Sequence, residues 1–310
     1  MLDVRRLWIL RTVASSGSFS AAADALSYTP SAIAQHITAL ERETQTKLVD
    51  RGARGVSLTP SGEALAERAD GILIALNRAE AELDAINELR SGRLRLASFA
   101  TASATIVPPA ISIFAARYPA VDLRLREAES DASVAGLRSG DLDLAVIFEY
   151  DLVPRHDWQD IERVTLFEEP MRLALPVEHP HAWDSSVSLA DLADEAWIGG
   201  TRPQACSELL RRACRLAGFE PRIAYESDDY AAVQGLIAAG AAVALVPELA
   251  LGSVRSGIAI KSLGPETPVR RVRAAVLTEE FRSQAATAML AILRETSRAV
   301  EPVPFAAVPA

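Results

Sequence analysis

Cysteine is scarce in this sequence, which also lacks long apolar runs and an export signal. Two cysteines in 310 residues are too few for a disulfide framework. The apolar stretch from Ile237 to Val246 is interrupted by Gly240 and is about half as long as a membrane-spanning helix. No N-terminal stretch joins a basic region, an apolar run and a small-residue cleavage site. We therefore expect a soluble, cytoplasmic protein with no membrane partner.

Signatures of catalysis and of metal binding are missing as well. The sequence has no G-x-S-x-G pattern, no P-loop and no glycine-rich dinucleotide-binding loop. His179 and His181 have no nearby partner at metal-ligand spacing and are interpreted as part of a surface turn, and His156 stands alone. We expect no catalytic residue, no metal and no cofactor.

The two cysteines, Cys206 and Cys214, lie eight positions apart on a predicted helix. The rise of an α-helix separates them by about 12 Å, whereas a disulfide needs Cα atoms within about 7 Å. Because a bond between them would require the helix to unwind, we do not expect a disulfide. A redox role of the pair is left open.

Charge is distributed unevenly along the chain. The net charge of −9 argues at first sight against nucleic-acid binding. However, residues 1–60 hold seven Arg or Lys and five Asp or Glu, whereas the remaining residues hold 25 and 36. With 49% apolar and 24% charged residues, the chain is long enough for two or three globular domains. A mildly positive N-terminal segment fits a small DNA-contacting domain carried by a larger acidic one.

Three short helices are predicted in this N-terminal segment. Apolar residues between Leu2 and Ala14 follow a helical period that ends at the Ser-Ser-Gly of residues 15–17. Ser18 can cap a second helix. Thr29 can cap a third, with Pro30 at its first position, where the missing N–H of proline costs nothing.

The third helix has two distinct faces. Its core-facing residues recur at steps of four and three: Ile33, Ile37 and Leu40. Its opposite face carries four polar residues: Ser31, Gln35, Thr38 and Arg42. Such groups can bond base edges and phosphates in a major groove, and the helix N-terminus favours a phosphate. For this helix alone, a bundle with a solvated polar face is the alternative interpretation.

A short β-hairpin is predicted after the third helix. Residues 48–49 and 56–58 are β-like and are joined across residues 50–55. The tip presents Arg51 and Arg54, which can contact phosphate or the minor groove. Three helices followed by a basic two-stranded wing indicate a winged helix-turn-helix, a DNA-reading domain.

This segment resembles the DNA-binding domain of the LysR-type transcriptional regulators along its whole length. The resemblance is carried by Gly17-Ser18-Phe19-Ser20, Ala22-Ala23, Leu26, Ser31-Ala32-Ile33, Gln35, Ile37, Leu40-Glu41, Leu48, Arg51 and Val56 to Gly62. It implies double-stranded promoter DNA as a partner. The candidate DNA-binding residues are Ser18, Thr29, Pro30, Ser31, Gln35, His36, Thr38, Arg42, Arg51 and Arg54.

Two places depart from the family pattern. Thr44-Gln45 stands where the family has Leu-Gly, and Val49 stands where it has Phe. These changes are expected to weaken the C-terminal cap of the third helix and to shrink one packing residue. They bear on the geometry of the turn and not on the identity of the domain.

A long helix is predicted over residues 61–90, after a second cap-plus-proline start at Thr59-Pro60. Its apolar residues alternate at steps of four and three, as in a coiled-coil seam: Leu65, Ala69, Ile72, Leu76, Ala79, Leu83 and Ile86. We predict that this seam pairs two chains; the alternative is a helix packed on its own domain. Pairing would bring two DNA-binding domains to two half-sites, in a homodimer or homotetramer.

Residues 91–300 alternate strand-like and helix-like stretches, which predicts an α/β domain with mostly parallel sheets. Strands are predicted near residues 93–98, 121–127, 143–148, 171–175, 196–198, 222–225, 243–246 and 270–277. Helices are predicted near residues 106–117, 131–138, 205–217, 229–239 and 281–298. Residues 150–160 and 264–268 resemble crossings between one lobe, residues 91–160 and 269–300, and another, residues 161–268.

This part of the chain is similar to the LysR effector-binding domain and, through it, to the periplasmic binding proteins. The similarity rests on Pro108 to Phe114, Tyr118 to Val121, Gly140 to Ala145, His179-Pro180 and Gly240 to Pro247. In such domains a small effector lies between the lobes, at the carboxyl ends of strands. Three candidates follow the first strand, and position in the family adds the others: Ser98, Phe99, Thr101, Ser130, Phe148, Thr201, Arg202 and Tyr230.

The charge of the effector stays open. Arg202, beside two glycines, could pair with a carboxylate. Four acidic residues instead favour a cation: Glu149, Glu226, Asp228 and Asp229. Asp228 or Asp229 could also simply cap the helix that follows.

The sequence thus predicts a winged helix-turn-helix over residues 1–60, a dimerisation helix over 61–90, a two-lobed α/β domain over 91–300 and a flexible tail over 301–310. The predicted function is promoter binding modulated by a small-molecule effector, without enzymatic activity. The alternative is a small-molecule-binding protein, or an enzyme on the α/β body, whose N-terminal helices serve only for oligomerisation.

Overall fold

The computed structural model describes residues 2–26, 28–52, 55–86, 92–154, 158, 161–201, 205–278 and 282–298, with the backbone alone at residues 51, 52, 55, 70, 74, 77–86 and 205. The chain divides into an N-terminal unit and a larger C-terminal unit, called the body, which are described in turn. None of the helices in these ranges is long and apolar enough to cross a membrane. The predicted tail, residues 301–310, lies outside the described residues.

The N-terminal unit begins with three helices and a two-stranded hairpin. The helices are α1 (Val4–Ser16), α2 (Phe19–Leu26) and α3 (Pro30–Thr44), and the strands are β1 (Val49–Gly52) and β2 (Gly55–Leu58). The strands pair antiparallel, with Val49 opposite Leu58 and Gly52 opposite Gly55. This order confirms the predicted winged helix-turn-helix fold.

Polar side chains begin α2 and α3. The Ser18 hydroxyl accepts the N–H of Ala21 at 3.1 Å, and the Thr29 hydroxyl accepts that of Ala32 at 3.2 Å. Pro30 takes the first position of α3. These bonds satisfy N–H groups that have no partner within the helix, so the predicted caps are confirmed.

The end of α3 keeps its turn without the glycine that usually ends a helix. Gln45 adopts the left-handed conformation, with φ 50° and ψ 30°, and its N–H donates to the carbonyl of Glu41. The Glu41 carboxylate in turn accepts the N–H of Leu48 at 3.0 Å. Val49, where the family pattern has Phe, is buried in the core of the unit. Gln45 therefore takes the left-handed backbone conformation that glycine adopts more easily, and Val49 fills its position in the core in place of Phe.

Helix α4 (Pro60–Ile86) follows the wing and completes the core of the N-terminal unit with its first turns. Leu65, Ala66 and Ala69 pack against the buried residues of α1 to α3, and Ala69 has no exposed surface. The full burial of Ala69 within its own unit speaks against its placement in a seam with a second chain, because an apolar period of four and three fits either packing partner. Leu65 is only half-buried, so its place in such a seam stays a prediction.

The later part of the predicted seam has a different environment. Ile72 is 39% exposed and Leu76 is 43% exposed, which is high for large apolar side chains. At the other three seam positions, Ala79, Leu83 and Ile86, only the backbone is described. Pairing of two chains through this part of α4 therefore stays a prediction.

The body is built from nine strands and six helices within the described ranges. The strands are β3 (Arg93–Ser98), β4 (Asp122–Glu127), β5 (Leu144–Tyr150), β6 (Ile161–Pro176), β7 (Ala196–Gly199), β8 (Arg222–Glu226), β9 (Ala244–Pro247), β10 (Ile258–Lys261) and β11 (Val269–Leu277). The helices are α5 (Ala100–Ala104), α6 (Val107–Arg117), α7 (Ser130–Arg138), α8 (Ala205–Leu216), α9 (Tyr230–Ala238) and α10 (Gln284–Ser297). Most agree with prediction, whereas α5, β10 and the first half of β6 were missed.

The main sheet has the order β10-β6-β11-β5-β3-β4, with β9 also paired to β6. β3 is parallel to β4 and β5, and β7 is parallel to β8 in a separate pair. β11 is antiparallel to both β5 and β6, and β6 is antiparallel to β9 and β10. The expectation of mostly parallel sheets is therefore wrong, because the long strand β6 pairs only with antiparallel neighbours.

The two halves of strand β6 pair with different neighbouring strands. Residues 161–170 pair with β11, and residues 171–176 pair with β9 and β10. Residues 161–170, assigned from sequence to the second lobe, thus lie beside a strand assigned to the first. Charged residues at 162, 163, 168 and 169 hid this half of the strand from a search for apolar runs. The other lobe boundaries stay predictions.

Gly62, in the first turn of α4, generates a stability prediction. A Cβ at this position would lie 2.0 Å from the carbonyl oxygen of Leu48, so Gly62→Ala is expected to destabilise the N-terminal unit by about 1–3 kcal/mol. Gly71→Ala on the same helix is the control, because nothing lies within 4 Å of its Cβ position and alanine favours a helix by about 1 kcal/mol. Calorimetric unfolding of the full chain measures both; equal effects would contradict the role of Gly62.

Candidate nucleic-acid interface and ligand cleft

Helix α3 carries an exposed polar stripe opposite a fully buried apolar one. Ser31, Gln35 and Arg42 are exposed, and Thr38 is half-buried beside them. On the inner face, Ile33, Ile37 and Leu40 have no exposed surface. The burial of one face fixes the rotation of the helix, so that the predicted polar residues are the ones presented to solvent.

Several candidate residues at the start of α3 have structural partners. Thr29 caps the helix, and its hydroxyl lies 3.0 Å from that of Ser31. His36 is half-buried and packs edge-on against Tyr28, with ring centroids 6.0 Å apart. The exposed guanidinium of Arg5 donates to the Tyr28 hydroxyl and lies 5.3 Å from the ring centroid. Arg5 and Tyr28 were not among the candidates predicted from sequence, because the pattern gives no sign that they pack against the start of α3.

The wing is attached to the helical part of the N-terminal unit by backbone contacts. The N–H of Val56 donates to the carbonyl of Gly17, at the end of α1, at 3.4 Å. The N–H of Thr59 donates to the carbonyl of Leu48 at 3.0 Å, which extends the pairing of the two strands of the wing. Of the two predicted phosphate contacts, Arg51 lies in β1 with only its backbone described, and Arg54 lies outside the described residues. Their roles stay predictions.

The body contains a cleft at the carboxyl ends of four strands. Phe99 directly follows β3, Tyr150 ends β5, Gly199 ends β7 and Ser227 directly follows β8; all four line the cleft. Its enclosed volume amounts to about 80 Å³, and the cleft opens to solvent. Carboxyl ends of parallel strands are common ligand sites in α/β proteins, so this cleft is the candidate ligand site.

A buried ion pair forms one wall of the cleft. Arg270 on β11 and Glu169 on β6 stand directly opposite each other in the sheet, and they are 2% and 4% exposed. Arg270 Nε donates to Glu169 Oε1 at 2.7 Å, and Arg270 Nη2 donates to the Thr101 hydroxyl at 3.0 Å. The other oxygen of Glu169 accepts the N–H of Leu249 at 2.7 Å. Both charges are therefore held by several hydrogen bonds.

Aromatic rings surround this guanidinium. It lies 5.0 Å from the ring centroid of Phe99 and 5.4 Å from that of Phe148, distances at which a cation and a ring attract each other. The two rings meet edge to face at 4.9 Å. Burial lowers the pKa of Arg270, but the charge and hydrogen bond of Glu169, together with Tyr150 and Tyr230, raise it above its ordinary value.

Tyr150 and Cys206 form a neutral polar pair in the cleft. The Tyr150 hydroxyl lies 2.9 Å from the Cys206 sulfur. Burial raises the pKa of both groups, so each stays protonated near neutral pH. Cys214 is also a free thiol, and burial together with Glu220 raises its pKa to about 12. The cysteines are thus unpaired, as predicted, and neither has the acidity of a reactive thiol.

Two acidic residues also line the cleft. Glu129 follows β4 and is half-buried, and Asp228 follows β8. Asp228 accepts the N–H of Thr201 at 3.2 Å and also its hydroxyl. The helix cap next to it is Asp229, whose carboxylate accepts the N–H of Ala231 at 2.8 Å. Of the two capping alternatives raised by the sequence, the structure shows Asp229.

The predicted ligand residues divide into two groups. Phe99, Thr101, Phe148 and Tyr230 line the cleft. Ser98 is fully buried, Ser130 bonds the backbone N–H of Phe148 at 3.0 Å, Thr201 is held by Asp228, and Arg202 lies outside the described residues. Four further residues that line the cleft or hold its wall were not predicted as ligand residues: Arg270, Glu169, Tyr150 and Cys206. Arg270 lies in a predicted strand, where a charge usually indicates an exposed face, and Glu169 lies in the half of β6 that was missed.

No group of three or more His, Cys, Asp or Glu side chains that could hold a metal ion occurs in the described parts of the chain. The predicted turn at His179 is a 3₁₀ helix, Pro180–Trp183. His181 Nδ1 lies 2.7 Å from Asp184, and His179 Nε2 lies 3.2 Å from Glu195. His156 lies outside the described residues.

Two family models match this chain in sequence. The model of the bacterial regulatory helix-turn-helix protein, lysR family, matches residues 4–63, and the model of the LysR substrate binding domain matches residues 87–298. The chain belongs to the LysR family. It is therefore a member of a family of transcriptional regulators, with the N-terminal unit as the helix-turn-helix domain and the body as the substrate-binding domain.

Other LysR proteins are similar over almost the whole chain. A probable HTH-type transcriptional regulator of Synechococcus elongatus, LrrA, is 29% identical, covering 96% of this chain and 98% of its own. The crystal structure of CbnR, a LysR family regulator, is 25% identical with a TM-score of 0.59, covering 96% and 99% of the two chains. Full-length CbnR in complex with its target DNA is 26% identical with a TM-score of 0.54, covering 96% and 100%.

The ion pair in the LysR cleft generates a prediction about stability. Arg270→Met leaves the Glu169 carboxylate buried without its counter-charge and is expected to destabilise the body by about 3–5 kcal/mol. The additional change Glu169→Met should restore part of this loss. The measurement is urea unfolding followed by the fluorescence of Trp197, which is fully buried in the body.

The matched control lies one residue further along both strands. Arg271 bonds Glu168 at 2.8 Å, but that carboxylate side chain is 52% exposed. Arg271→Met should therefore cost less than about 1 kcal/mol. Equal losses for Arg270→Met and Arg271→Met would show that the buried pair does not hold the body together.

Proposed function

We propose that this LysR protein binds double-stranded promoter DNA through α3 and the wing, and that a small molecule in the cleft modulates this binding. The observation that carries the proposal is the fixed rotation of α3, which presents Ser31, Gln35 and Arg42 opposite a fully buried apolar face. CbnR, which is similar over 96% of this chain, has been crystallised with its target DNA.

The proposed contacts follow from the chemistry of the side chains. Gln35 can bond an adenine edge with both amide atoms, and the hydroxyls of Ser31 and Thr38 can bond either kind of base pair. Arg51 and Arg54 in the wing are proposed to contact phosphate or the minor groove, where their charge adds affinity and salt dependence. Ser18 and Thr29 contribute mainly by capping the helices.

The cleft is proposed to hold the effector. It combines aromatic rings with a few directional polar groups at the carboxyl ends of strands, the usual composition of a small-molecule site. An effector that binds one arrangement of the body better than another shifts the population toward it, and with it the DNA contacts of the assembly. A regulator of this kind would act in the cytoplasm, where bacterial DNA is found.

The proposed assembly is a homodimer or homotetramer. Ile72 and Leu76 are more than a third exposed on a helix whose preceding turns are packed into the N-terminal unit. Large exposed apolar residues one turn apart are favourable positions for a second helix. Such a pair would present two copies of α3 to two half-sites.

We also propose that the protein is not an enzyme. The reactive side-chain types in the cleft are used in other ways: the Cys206 thiol is neutral and bonded to Tyr150, and the Glu169 carboxylate is saturated by Arg270 and Leu249. Neither arrangement provides an activated nucleophile with an adjacent base. The homologues are likewise named as transcriptional regulators.

The role of α3 is tested by substituting Gln35. DNA sites are selected from genomic fragments by the purified protein, and affinity for the selected site is then measured with wild type and Gln35→Ala. Loss of a two-atom base contact is expected to cost about 1–3 kcal/mol and to relax preference at one base pair. Asp24→Ala, at an exposed position on α2, is the control and should leave affinity and sequence preference unchanged.

A result that contradicts DNA reading by α3 is also defined. If no specific site is selected, or if Gln35→Ala and Asp24→Ala behave alike at every base pair, the proposed interface is wrong. Salt dependence provides a second readout, because phosphate contacts give log affinity a steep negative slope against log salt. Arg54→Ala should make that slope shallower, whereas Gln35→Ala should leave it unchanged.

Dimerisation through α4 is tested with Ile72→Glu. A charge at this exposed apolar position is expected to leave the N-terminal unit folded and to shift the protein to monomers in sedimentation, with much weaker binding to a two-half-site operator. Glu67→Lys is the control, since this exposed residue lies on another face of α4. An unchanged oligomeric state for Ile72→Glu would exclude this part of α4 as the interface.

A further inference from the structure

We propose that Arg5, at the start of α1, binds a DNA backbone phosphate beside the groove that α3 enters, and that Tyr28 holds its guanidinium in position. The inference rests on the proposed function, in which α3 reads base edges, and it adds a contact from a helix that holds no predicted DNA-binding residue. Three observations support it: the position of the guanidinium, its charge and the contacts that hold it.

Arg5 reaches α3 through two ring side chains. Its guanidinium donates to the Tyr28 hydroxyl and lies 5.3 Å from the Tyr28 ring centroid. The Tyr28 ring packs edge-on against His36 of α3, with ring centroids 6.0 Å apart. The guanidinium therefore lies beside the first two turns of α3, the part of a recognition helix that contacts base edges.

This place is on the flank of α3 and not on its base-reading face. Successive residues of an α-helix are turned by about 100°, so His36 lies about a quarter turn from Gln35. His36 is half-buried, between the exposed Gln35 and the fully buried Ile37. When the polar face of a helix is turned to the floor of a groove, its flanks face the phosphates on either side. Arg5 extends such a flank.

The guanidinium of Arg5 is held by an aromatic side chain and not by a carboxylate. Among the described residues, its partners are the hydroxyl and the ring of Tyr28. Asp3 accepts the backbone N–H of Arg5 at 2.8 Å as the cap of α1. The next residue, Arg6, is by contrast paired with Glu43 and lies 4.0 Å from Asp3.

No further acidic side chain in the three helices and the wing changes this balance. Within residues 1–60, the side chains that the structure does not describe belong to Met1, Ser27, Arg51, Ala53 and Arg54, and none of them is acidic. A guanidinium has five N–H donors, and Tyr28 accepts from one nitrogen of Arg5. A phosphate can take up both the charge and further donors of such a group.

Tyr28 holds the guanidinium in place before DNA binds. The N–H of Tyr28 donates to the carbonyl of Ala23 on α2 at 2.9 Å, and its ring rests against His36. A long side chain loses rotamer freedom when it is ordered by a ligand, and one that is already held loses less. Tyr28 is thus a positioning residue, which acts on DNA through Arg5.

The first test is the salt dependence of DNA binding by the full-length protein. Affinity for the selected site is measured by fluorescence anisotropy between about 50 and 200 mM salt. Arg5→Ala is expected to bind about tenfold or more weakly. It should also reduce the slope of log affinity against log salt by about 0.9 for each half-site bound, the effect of one lost phosphate contact. Arg5→Lys keeps the charge and should keep most of the slope.

Arg211→Ala is the matched control, because it removes the same charge from an exposed position of α8 in the body. It should leave the slope at its wild-type value. A wild-type slope for Arg5→Ala, or equal changes for both variants, would overturn the inference. A changed preference at a single base pair would also overturn it, since that change indicates a base contact.

Neutralising one phosphate at a time locates the contact. Methylphosphonate linkages, which carry no charge, are placed at single positions of the selected site. Wild type should lose affinity at several phosphates, and Arg5→Ala should become insensitive at one of them, in the half-site where Gln35→Ala relaxes base preference. Because two DNAs are compared on one folded protein, general destabilisation does not imitate this result. Unchanged sensitivity of Arg5→Ala at every phosphate would refute the contact.

Tyr28→Phe tests the positioning role, because it removes the hydroxyl and keeps the ring beside His36. It should weaken binding about two- to tenfold in the wild-type chain, the effect of ordering one long side chain. In the Arg5→Ala chain it should have no further effect. Equal effects in both chains would show that Tyr28 acts independently of Arg5.

The variant Gln35→Ala separates this inference from the proposed function. If Gln35→Ala relaxes base preference while Arg5→Ala keeps the wild-type slope and phosphate sensitivity, the inference fails and the proposed function stands. If Arg5→Ala lowers the slope while Gln35→Ala behaves like Asp24→Ala, Arg5 binds phosphate and base reading by α3 fails. If no site is selected, the proposed function fails, and the salt series on a random-sequence duplex still tests Arg5, because a phosphate contact does not depend on sequence.

Discussion

The cleft depends on one interaction, the buried ion pair between Arg270 and Glu169. It joins β11 to β6 at directly opposed positions and reaches Thr101 and Leu249 through further hydrogen bonds. A buried pair of this kind adds little net stability, because desolvation offsets attraction. Its main effect is geometric: it holds a guanidinium nitrogen and the Thr101 hydroxyl at one wall of a largely apolar space, where a misplaced donor would be costly.

Sequence periodicity was most informative where one physical constraint acts alone. The inner face of α3, the caps at Ser18 and Thr29 and most strands of the body agree with prediction, since burial or a helix end determines them locally. The seam on α4 was wrong at Ala69, which is covered within its own unit, because an apolar stripe does not say which protein surface covers it. Strand β6 was half missed because four charged residues, at 162, 163, 168 and 169, interrupt its apolar pattern.

The same limit explains why only some of the predicted ligand residues line the cleft. Phe99, Thr101 and Phe148 lie at or just beyond the ends of strands, a position that sequence can indicate. Arg270 and Glu169 lie within strands, where a charge ordinarily indicates a solvated face. Their burial follows from a pairing between positions 101 residues apart, and no local pattern encodes that pairing. Cys206 was considered for its spacing from Cys214, whereas its contact is with Tyr150.

The packing of α4 changes where the DNA-reading domain ends. Leu65, Ala66 and Ala69 complete a core whose other residues come from α1 to α3 and the wing, and Gly62 lets the helix approach the backbone of Leu48. The folding unit therefore extends past residue 60 to at least Ala69. A hybrid regulator assembled from two LysR proteins should be joined beyond Ala69. An earlier junction would pack α1 to α3 of one parent against the α4 of the other.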